Sequence, residues 1–404
     1  QRIQEHFTID DIHSFKKKLL IWAQQFEAIS WLDSNQYHQD YSSFDAVLAV
    51  DEFTSIQTDY NNAFEELKEY QTITNDYLFG YLSYDLKNDV EPISSKNLDG
   101  LGFADLYFFQ PKRIVFIKEN EVIFQYLKMI DDEVDADFEA ILSTPIEGFS
   151  EGLKTDASAI KIKLRIHKDE YHQKVQEFYA ENVTINPLEA YNHLNEISEP
   201  PFATFFKLED HYLLSASPER YLKKEGSKVV SQPIKGTAKR LRSKIDDEQI
   251  AFSLARDEKE RSENIMIVDL VRNDLSKTAV KGTVKVEELC KVYSFKQVHQ
   301  LISTVTSEVS AATHPVDIIR ETFPMGSMTG APKISAMHII ENLEETKRGL
   351  YSGAVGYFTP NGDFDFNVVI RSILYNNENK YVSFSVGGAI TSKSTPEKEY
   401  EECL

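Results

Sequence analysis

The chain has 404 residues, with 44 Lys and Arg against 65 Asp and Glu, and its formal net charge at pH 7 is -21. This length allows one large α/β unit or two to three domains, and the negative charge argues against nucleic acid or an anionic membrane as the main partner, because both bind basic surfaces. The two cysteines have no metal-type spacing and the sequence shows neither an export signal nor an apolar run of about 18 residues, so we expect a cytoplasmic metabolic protein without a membrane partner.

The N-terminal part alternates strand-like and helical stretches. A helix is predicted over Asn61–Tyr70, and strands are predicted over Phe44–Val50, Tyr77–Tyr84, Arg113–Ile117 and Val122–Tyr126. The following stretch, Met129–Ile160, is acidic and rich in small residues, which is typical of a surface connection. We therefore place a boundary near Asp156, between an N-terminal α/β region over 1–156 and a catalytic domain over 157–404.

The second part mixes strands and helices without a regular βαβ alternation. Helices are predicted over Lys168–Gln176, Asp246–Asp274 and Lys333–Leu343, and short strands over Tyr212–Ser215 and Val229–Ser231. Two further strands, Tyr351–Phe358 and Phe364–Tyr375, flank Asn361-Gly362, a dipeptide that tolerates the positive φ of a hairpin turn. This order of elements predicts α+β packing.

Two pairs of carboxylates are spaced for one helix face each. Glu260 and Glu263 are three residues apart on the predicted long helix, and Glu399 and Glu402 follow Thr395-Pro396, a good helix start. Two such faces can hold one cation, and their hard oxygen ligands suit Mg²⁺ better than zinc. The alternative is that each pair is an ordinary solvated helix face.

A lysine and a glutamate each follow a proline within two residues. Lys235 lies in the segment Ser231-Gln-Pro-Ile-Lys-Gly-Thr237, where its amine can act as a nucleophile once it is neutral. Glu219, in Ser-Pro-Glu-Arg, is a candidate proton donor to a leaving group. The alternatives are a surface lysine in a turn and a glutamate that starts a helix.

A glycine-rich loop and a strand arginine are candidates for anion binding. Phe323-Pro-Met-Gly-Ser-Met-Thr-Gly-Ala-Pro-Lys333 leaves backbone N–H groups available ahead of a helix, or forms a tight structural turn. Arg371 and Tyr351, beside the hairpin, can bind a carboxylate through a guanidinium fork and a hydroxyl. Arg371 is alternatively a plain surface charge.

The ordered motifs SASPER, PIKGT, DEKERSENIMIVDLVRNDL, FPMGSMTGAPK, RGLYSGAVGYF and GGAI...EYEEC resemble those of the chorismate-utilising enzyme family. The resemblance is strong over 161–404. It implies an α+β fold of two packed β-sheets covered by helices, with the active site between them. Within the family, the lysine of PIKGT and the Ser and Thr of GSMTGAPK are similar to the aminodeoxychorismate synthase branch, which aminates chorismate in para-aminobenzoate and folate biosynthesis.

The resemblance also implies roles for individual residues. Lys235 would attack C2 of chorismate while Glu219 protonates the departing C4 hydroxyl, and ammonia from a glutamine amidotransferase subunit would then add at C4 and expel the lysine. Glu260, Glu263, Glu399 and Glu402 would serve Mg²⁺ at the ring carboxylate. Arg371 and Tyr351 would hold the pyruvyl carboxylate. The remaining substrate-binding positions would be Gly236, Thr237, Ser327, Gly330, Gly387 and Gly388.

The sequence departs from the family pattern after the predicted helix Lys168–Gln176, where EFYAEN follows at once and a Gly-Asp-Ile-Tyr-like segment is expected. Gln300 also stands where many relatives have His, and Ala389 replaces a glycine. These departures leave two rival functions open. One is the anthranilate synthase large subunit, against which Lys235 argues, and the other is a catalytically silent subunit that binds chorismate or a partner.

Overall fold

The computed structural model describes residues 1–37, 41, 44–146, 163–164 and 176–387. Its helices within these ranges are α1 (Ile12–Ala23), α2 (Ala63–Thr74), α3 (Lys87–Val90), α4 (Val134–Ser143), α5 (Pro187–Ser198), α6 (Lys244–Leu254), α7 (Glu258–Ser276), α8 (Pro315–Thr322) and α9 (Lys333–Leu343). None of these helices is both long enough and apolar enough to span a membrane.

The strands before residue 200 are β1 (Arg2–Thr8), β2 (Ala28–Asp33), β3 (Ala46–Thr58), β4 (Leu78–Leu82), β5 (Leu106–Lys118), β6 (Glu121–Leu127), β7 (Lys163–Leu164) and β8 (Gln176–Glu181). The later strands are β9 (Phe202–Leu208), β10 (His211–Ser217), β11 (Arg220–Glu225), β12 (Lys228–Gln232), β13 (Ile234–Lys239), β14 (Lys285–Ser294), β15 (Val298–Glu308), β16 (Ala354–Phe358), β17 (Phe364–Val368), β18 (Ser372–Asn376) and β19 (Tyr381–Val386).

The strands form two antiparallel sheets that share β5. The first sheet runs in the order β1-β6-β5-β3-β2-β9-β10-β18-β19-β8-β7. The second leaves β5 through β4 and continues as β16-β17-β11-β12-β15, with β13 and β14 also paired to β15. Because β2 pairs with β9 and β4 pairs with β16, the N-terminal region contributes strands to both sheets. The predicted boundary near Asp156 lies outside the described residues and stays a prediction.

Three apolar clusters hold the layers together: one lies between the two sheets, and the other two pack helices on the sheets. An aromatic cluster that includes Phe79, Tyr107, Phe206 and Tyr357 combines side chains from both sheets. A second cluster packs α1, α4 and α5 on the first sheet, and a third packs α2, α7 and α8 on the second. Strands between such layers are buried on both faces, so β2 and β4 are almost entirely buried. The predicted α+β fold of two packed sheets covered by helices is confirmed.

Most predicted elements are confirmed with shifted ends. β3, β4, β5, β6 and α2 lie on the five elements predicted in the N-terminal part, and β10, β12 and α9 lie on three of those predicted after it. The Asn361-Gly362 turn joins β16 to β17, with Phe358 opposite Phe364 and a φ of 76° at Gly362. The predicted helix Lys168–Gln176 falls outside the described residues except for Gln176, which begins β8.

Two predictions of continuous elements were wrong. The single helix predicted over Asp246–Asp274 is divided into α6 and α7, because Asp257 caps α7 by accepting a hydrogen bond from the Glu260 N–H at 2.9 Å. The strand predicted over Phe364–Tyr375 is divided into β17 and β18, because the backbone turns at Arg371, where φ is 51°. Both interruptions lie beside candidate site residues.

Candidate active site

Glu219 is a buried acid between β10 and β11. Its residue is 4% exposed, and its backbone N–H donates to Ser217 Oγ at 3.3 Å. Burial raises the pKa of Glu219 to about 7, although a hydrogen bond with Ser327 and the charges of Lys235 and Arg371 act in the opposite direction. A carboxylic acid with this pKa can donate a proton near neutral pH. Glu219 belongs to a connection between two strands, so the alternative of a helix-start glutamate does not apply.

Lys235 and Gly236 lie in an irregular part of β13. The pairing of β13 with β15 shifts between Ile234 and Thr237, and Gly236 has a φ of 95°. Such a bulge changes the direction of the side chains around it. The half-buried Lys235 acts on Glu219 through its charge, while the exposed Thr237 pairs with Gln300 on β15. The bulge therefore brings the candidate amine to the candidate acid.

The first turns of α7 bring Glu260 and Glu263 to the same strands. Glu263 is 7% exposed and Glu260 is half-buried. A Cβ atom on Gly236 would lie 3.2 Å from Glu260 Oε2 and 3.0 Å from Leu301 Cδ1. Asn264, between the carboxylates and the rest of α7, donates from Nδ2 to the Lys235 carbonyl at 3.3 Å. The helix that carries the two carboxylates is thus fastened to the strand that carries Lys235.

Two of the four carboxylates predicted to hold Mg²⁺ lie within the described residues. They share one face of α7, and Glu260 approaches a backbone that has no side chain at Gly236, so one hard oxygen ligand borders a space that a Cβ would fill. Lys259 Nζ lies 3.8 Å from Glu263 Oε1. Glu399 and Glu402 lie outside the described residues, within which no group of three or more His, Cys, Asp or Glu side chains could hold a metal.

The loop before α9 is packed tightly on α7. A Cβ atom on Gly326 would lie 2.7 Å from Leu270 Cδ2, so only glycine fits at this position without rearrangement. Ser327, the next residue, hydrogen-bonds to the Glu219 side chain. Arg348 donates to the Met328 carbonyl at 2.7 Å and to both carboxylate oxygens of Glu344. This loop therefore supports the acid, which is a role that its glycines alone do not indicate.

Arg371 lies at the turn between β17 and β18 and not on a strand as predicted. It is exposed to solvent, yet the protein atoms around it lower its pKa, while the charge of Glu219 acts in the opposite direction. Arg371 is therefore in contact with solvent and also close enough to Glu219 for the two charges to interact. A guanidinium beside a buried acid also leaves positive charge available to an anionic substrate in a strongly acidic protein.

The other predicted substrate-binding residues within the described ranges lie in separate connections, before β16, before α9 and after β19. Tyr351 is 4% exposed and belongs to the aromatic cluster between the sheets, against which Met328 and Ile370 pack. Gly330 has a φ of 147° just before α9, and Gly387 is exposed after β19. Gly388 lies outside the described residues.

Sequence reasoning missed three residues that hold the site together. They are Asn264, which also donates to the Leu301 carbonyl at 3.1 Å, Arg348, and Asp274, whose carboxylate pairs with Lys333. Each lies within or beside a motif that carries the family resemblance. The motif letters therefore contained a signal, but the contacts join positions far apart in the sequence.

Comparisons with known proteins identify the family to which the chain is similar. Residues 178–404 match the family model for chorismate binding enzymes. Aminodeoxychorismate synthase component 1 of Salmonella typhimurium is 42% identical over 214 residues, which are 53% of this chain and 47% of that protein. The protein of that name in Bacillus subtilis is 29% identical over 374 residues, covering 87% of this chain and 78% of its own length. Anthranilate synthase component 1 of Thermus thermophilus is 32% identical over 344 residues, covering 80% and 74%.

A solved structure has the same fold. Anthranilate synthase component I from Streptococcus pneumoniae superposes with a TM-score of 0.73 at 23% identity, covering 91% of this chain and 94% of that one. The match with the Salmonella protein spans about half of that relative's length. The family model nevertheless covers more than half of this chain, including Glu219, Lys235 and Arg371. The chain belongs to the chorismate binding enzyme family.

Proposed function

We propose that this chain converts chorismate and ammonia to 4-amino-4-deoxychorismate, as the chorismate-handling component of a cytoplasmic aminodeoxychorismate synthase. The observation that carries the proposal is the placement of an amine, Lys235, within charge range of a buried acid, Glu219. An amine nucleophile paired with a proton donor suits a reaction in which one ring substituent replaces another. The names of the Salmonella and Bacillus relatives support the same activity.

The two side chains divide the chemistry between them. The neutral amine of Lys235 forms a bond to C2 of the ring, the two conjugated ring double bonds shift, and the C4–O bond breaks as Glu219 donates its proton, releasing water. Ammonia then adds at C4, both double bonds return to their original positions, and the bond from C2 to Lys235 breaks. The carboxylate of Glu219 accepts the proton that the added ammonia loses, so the acid is restored.

Positive charge is required because chorismate carries two carboxylates and the protein has a net charge of -21. Arg371 supplies a guanidinium for one carboxylate, which it can bind through two parallel hydrogen bonds. Glu260 and Glu263 would hold Mg²⁺ together with Glu399 and Glu402. A bound Mg²⁺ would supply positive charge for the ring carboxylate.

Ammonia is proposed to come from a separate glutamine amidotransferase subunit. The Salmonella relative is named as component 1, which implies a second component of that enzyme. The test of the present chain uses ammonium salt in place of glutamine, so it does not depend on the partner.

The test is product identification. The chain is mixed with chorismate, magnesium chloride and ammonium chloride, and the product is identified by mass and absorbance. We expect aminodeoxychorismate, in which the pyruvyl group is retained. Anthranilate together with free pyruvate would instead establish the rival favoured by the Thermus relative, and unchanged chorismate would establish a silent subunit. Removal of Mg²⁺ with a chelator is expected to abolish the reaction.

Two variants test the assignment of the amine. Lys235→Ala is expected to abolish amination, whereas Lys239→Ala, an exposed lysine on the same strand, should leave the rate unchanged. Trapping with chorismate in the absence of ammonia should add mass to the peptide that contains Lys235. A wild-type rate in the Lys235→Ala variant would refute the covalent route.

A further inference from the structure

A small cavity lined by both polar and apolar residues lies beside Glu219, between the second sheet and α7. It encloses about 20 Å³, which is enough for one water molecule. Six residues with polar side-chain groups contribute to its wall, namely Glu219, Tyr221, Ser231, Asp274, Thr322 and Ser327. A cavity of this size with several hydrogen-bonding groups in its wall is a site where a buried water is stable, whereas an apolar cavity of similar size stays dry.

One residue of the cavity wall, Asp274, belongs to a buried ion pair whose other member, Lys333, lies outside the wall. Asp274, on α7, is 4% exposed, and its carboxylate pairs with Lys333 Nζ at the start of α9. Lys333 also donates to the Thr322 carbonyl at 3.0 Å, and Lys277 Nζ lies 3.5 Å from Asp274 Oδ1. The pair therefore connects α7, α8 and α9 at the cavity.

We propose that water in this cavity couples Glu219 to the Asp274–Lys333 pair, and that the pair sets the proton affinity of Glu219. Two hydrogen bonds through one water separate carboxylate oxygens by roughly 4.5–5 Å, since each bond is about 2.8 Å long and the two bonds meet at a roughly tetrahedral angle. At this separation in a protein interior, one charge changes the protonation of another appreciably. Asp274 and Lys333 are thus positioning residues that act through Glu219.

Each end of the cavity has its own set of charged neighbours. Lys235 and Arg371 act on Glu219 from β13 and from the turn between β17 and β18. At the other end, burial raises the pKa of Asp274 against the effects of Lys333 and Lys277, and burial lowers the pKa of Lys333 against the effect of Asp274.

Two further groups lie near the Asp274–Lys333 pair. Glu91 acts on Lys333 by its charge, and the Tyr221 hydroxyl lies 2.7 Å from Thr322 Oγ1 at the cavity wall. The ion pair is nearly neutral as a whole. Removing one member alone therefore changes the potential at Glu219 more than removing both.

Opposite shifts in the titration of Glu219 test the inference. The midpoint is followed by the infrared band of the protonated carboxyl group, which is assigned by its loss in the Glu219→Gln variant. Asp274→Asn leaves Lys333 unopposed and is expected to lower the midpoint by about 1 pH unit. Lys333→Gln leaves Asp274 with Lys277 alone and should raise it. The double variant is expected to titrate close to the wild type.

A matched control is Asp269→Asn, which removes one negative charge from α7 at a side chain that is 64% exposed. Circular dichroism establishes that each variant is folded, and the charge-neutral double variant provides a second measurement if one single variant does not fold. An unchanged midpoint in a folded single variant, or equal shifts in the Asp269→Asn control, would overturn the proposal. A double variant that titrates far from the wild type would do the same.

The inference rests on the proposed function only in giving Glu219 the role of an acid. The titration needs no substrate, so its outcome is independent of whether chorismate is aminated. If amination occurs, the midpoint of its pH–rate profile should shift in Asp274→Asn in the same direction as the infrared titration. A titration shift without amination would leave the coupling established and the proposed function refuted.

Discussion

Replacing Glu219 by glutamine should make the free energy of unfolding less sensitive to rising pH. Burial raises the pKa of this carboxyl from 4.5 to about 7 in the folded state. The folded protein therefore binds more protons than the unfolded chain between these values, so the free energy of unfolding falls as the pH rises through this window. A rise of about 2.5 units in this pKa corresponds to roughly 3 kcal/mol in the free energy of unfolding, because one pKa unit is worth about 1.4 kcal/mol.

The assay compares two pH values. Urea unfolding of the wild type and of Glu219→Gln is measured at pH 5 and at pH 8, and the difference in the free energy of unfolding between the two proteins is taken at each pH. From pH 5 to pH 8, the free energy of unfolding of the variant should rise relative to that of the wild type by up to about 3 kcal/mol. Glu225→Gln, at an end of β11 where the side chain is 67% exposed, is the matched control and should show no such change. An equal difference for Glu219→Gln at both pH values would refute the argument from burial.

Three further substitutions test the supports of the site. Gly236→Ala forces a side chain into a backbone with φ of 95° and should cost about 1–3 kcal/mol in urea unfolding, together with a loss of amination; unchanged stability would contradict the strain argument. Arg348→Met leaves the buried Glu344 without its ion pair and should lower the free energy of unfolding by about 3–5 kcal/mol. Arg272→Met, which removes an exposed ion pair, should lower it by less than about 1 kcal/mol, and equal losses of stability in thermal scans would contradict this ranking. Asp257→Ala removes the cap of α7 and should cost about 1 kcal/mol, measured by urea unfolding; no loss would mean that the cap does not stabilise the helix.

Local signals in the sequence predicted much of the fold. The Asn361-Gly362 dipeptide predicted its hairpin because glycine tolerates the positive φ of such a turn, which Gly362 adopts. The three-residue spacing of Glu260 and Glu263 placed both carboxylates on one helix face because that spacing is close to one helical turn. The capping signal of Asp257 was also present in the sequence, but the apolar spacing on either side of it suggested a single helix.

Contacts across the fold decided the rest. Glu219 and Ser327 are 108 residues apart in the numbering, and Asp274 and Lys333 are 59 apart. No periodicity could bring these pairs together, because side chains distant in the chain meet only after sheets and helices have packed. Resemblance to a family named candidates at some of these positions, but it did not provide the burial that raises the pKa of Glu219.

What the sequence determined by itself is the chemistry available to this protein: a helix face with two carboxylates, a lysine beside a glycine, and a net charge of -21 that makes local positive charge necessary for binding a dianion. The tertiary structure decided which of these groups meet and how strongly each is shielded from water. Shielding depends on every neighbour in three dimensions. For that reason the pKa of Glu219 is raised only in the folded chain, where the side chain is buried.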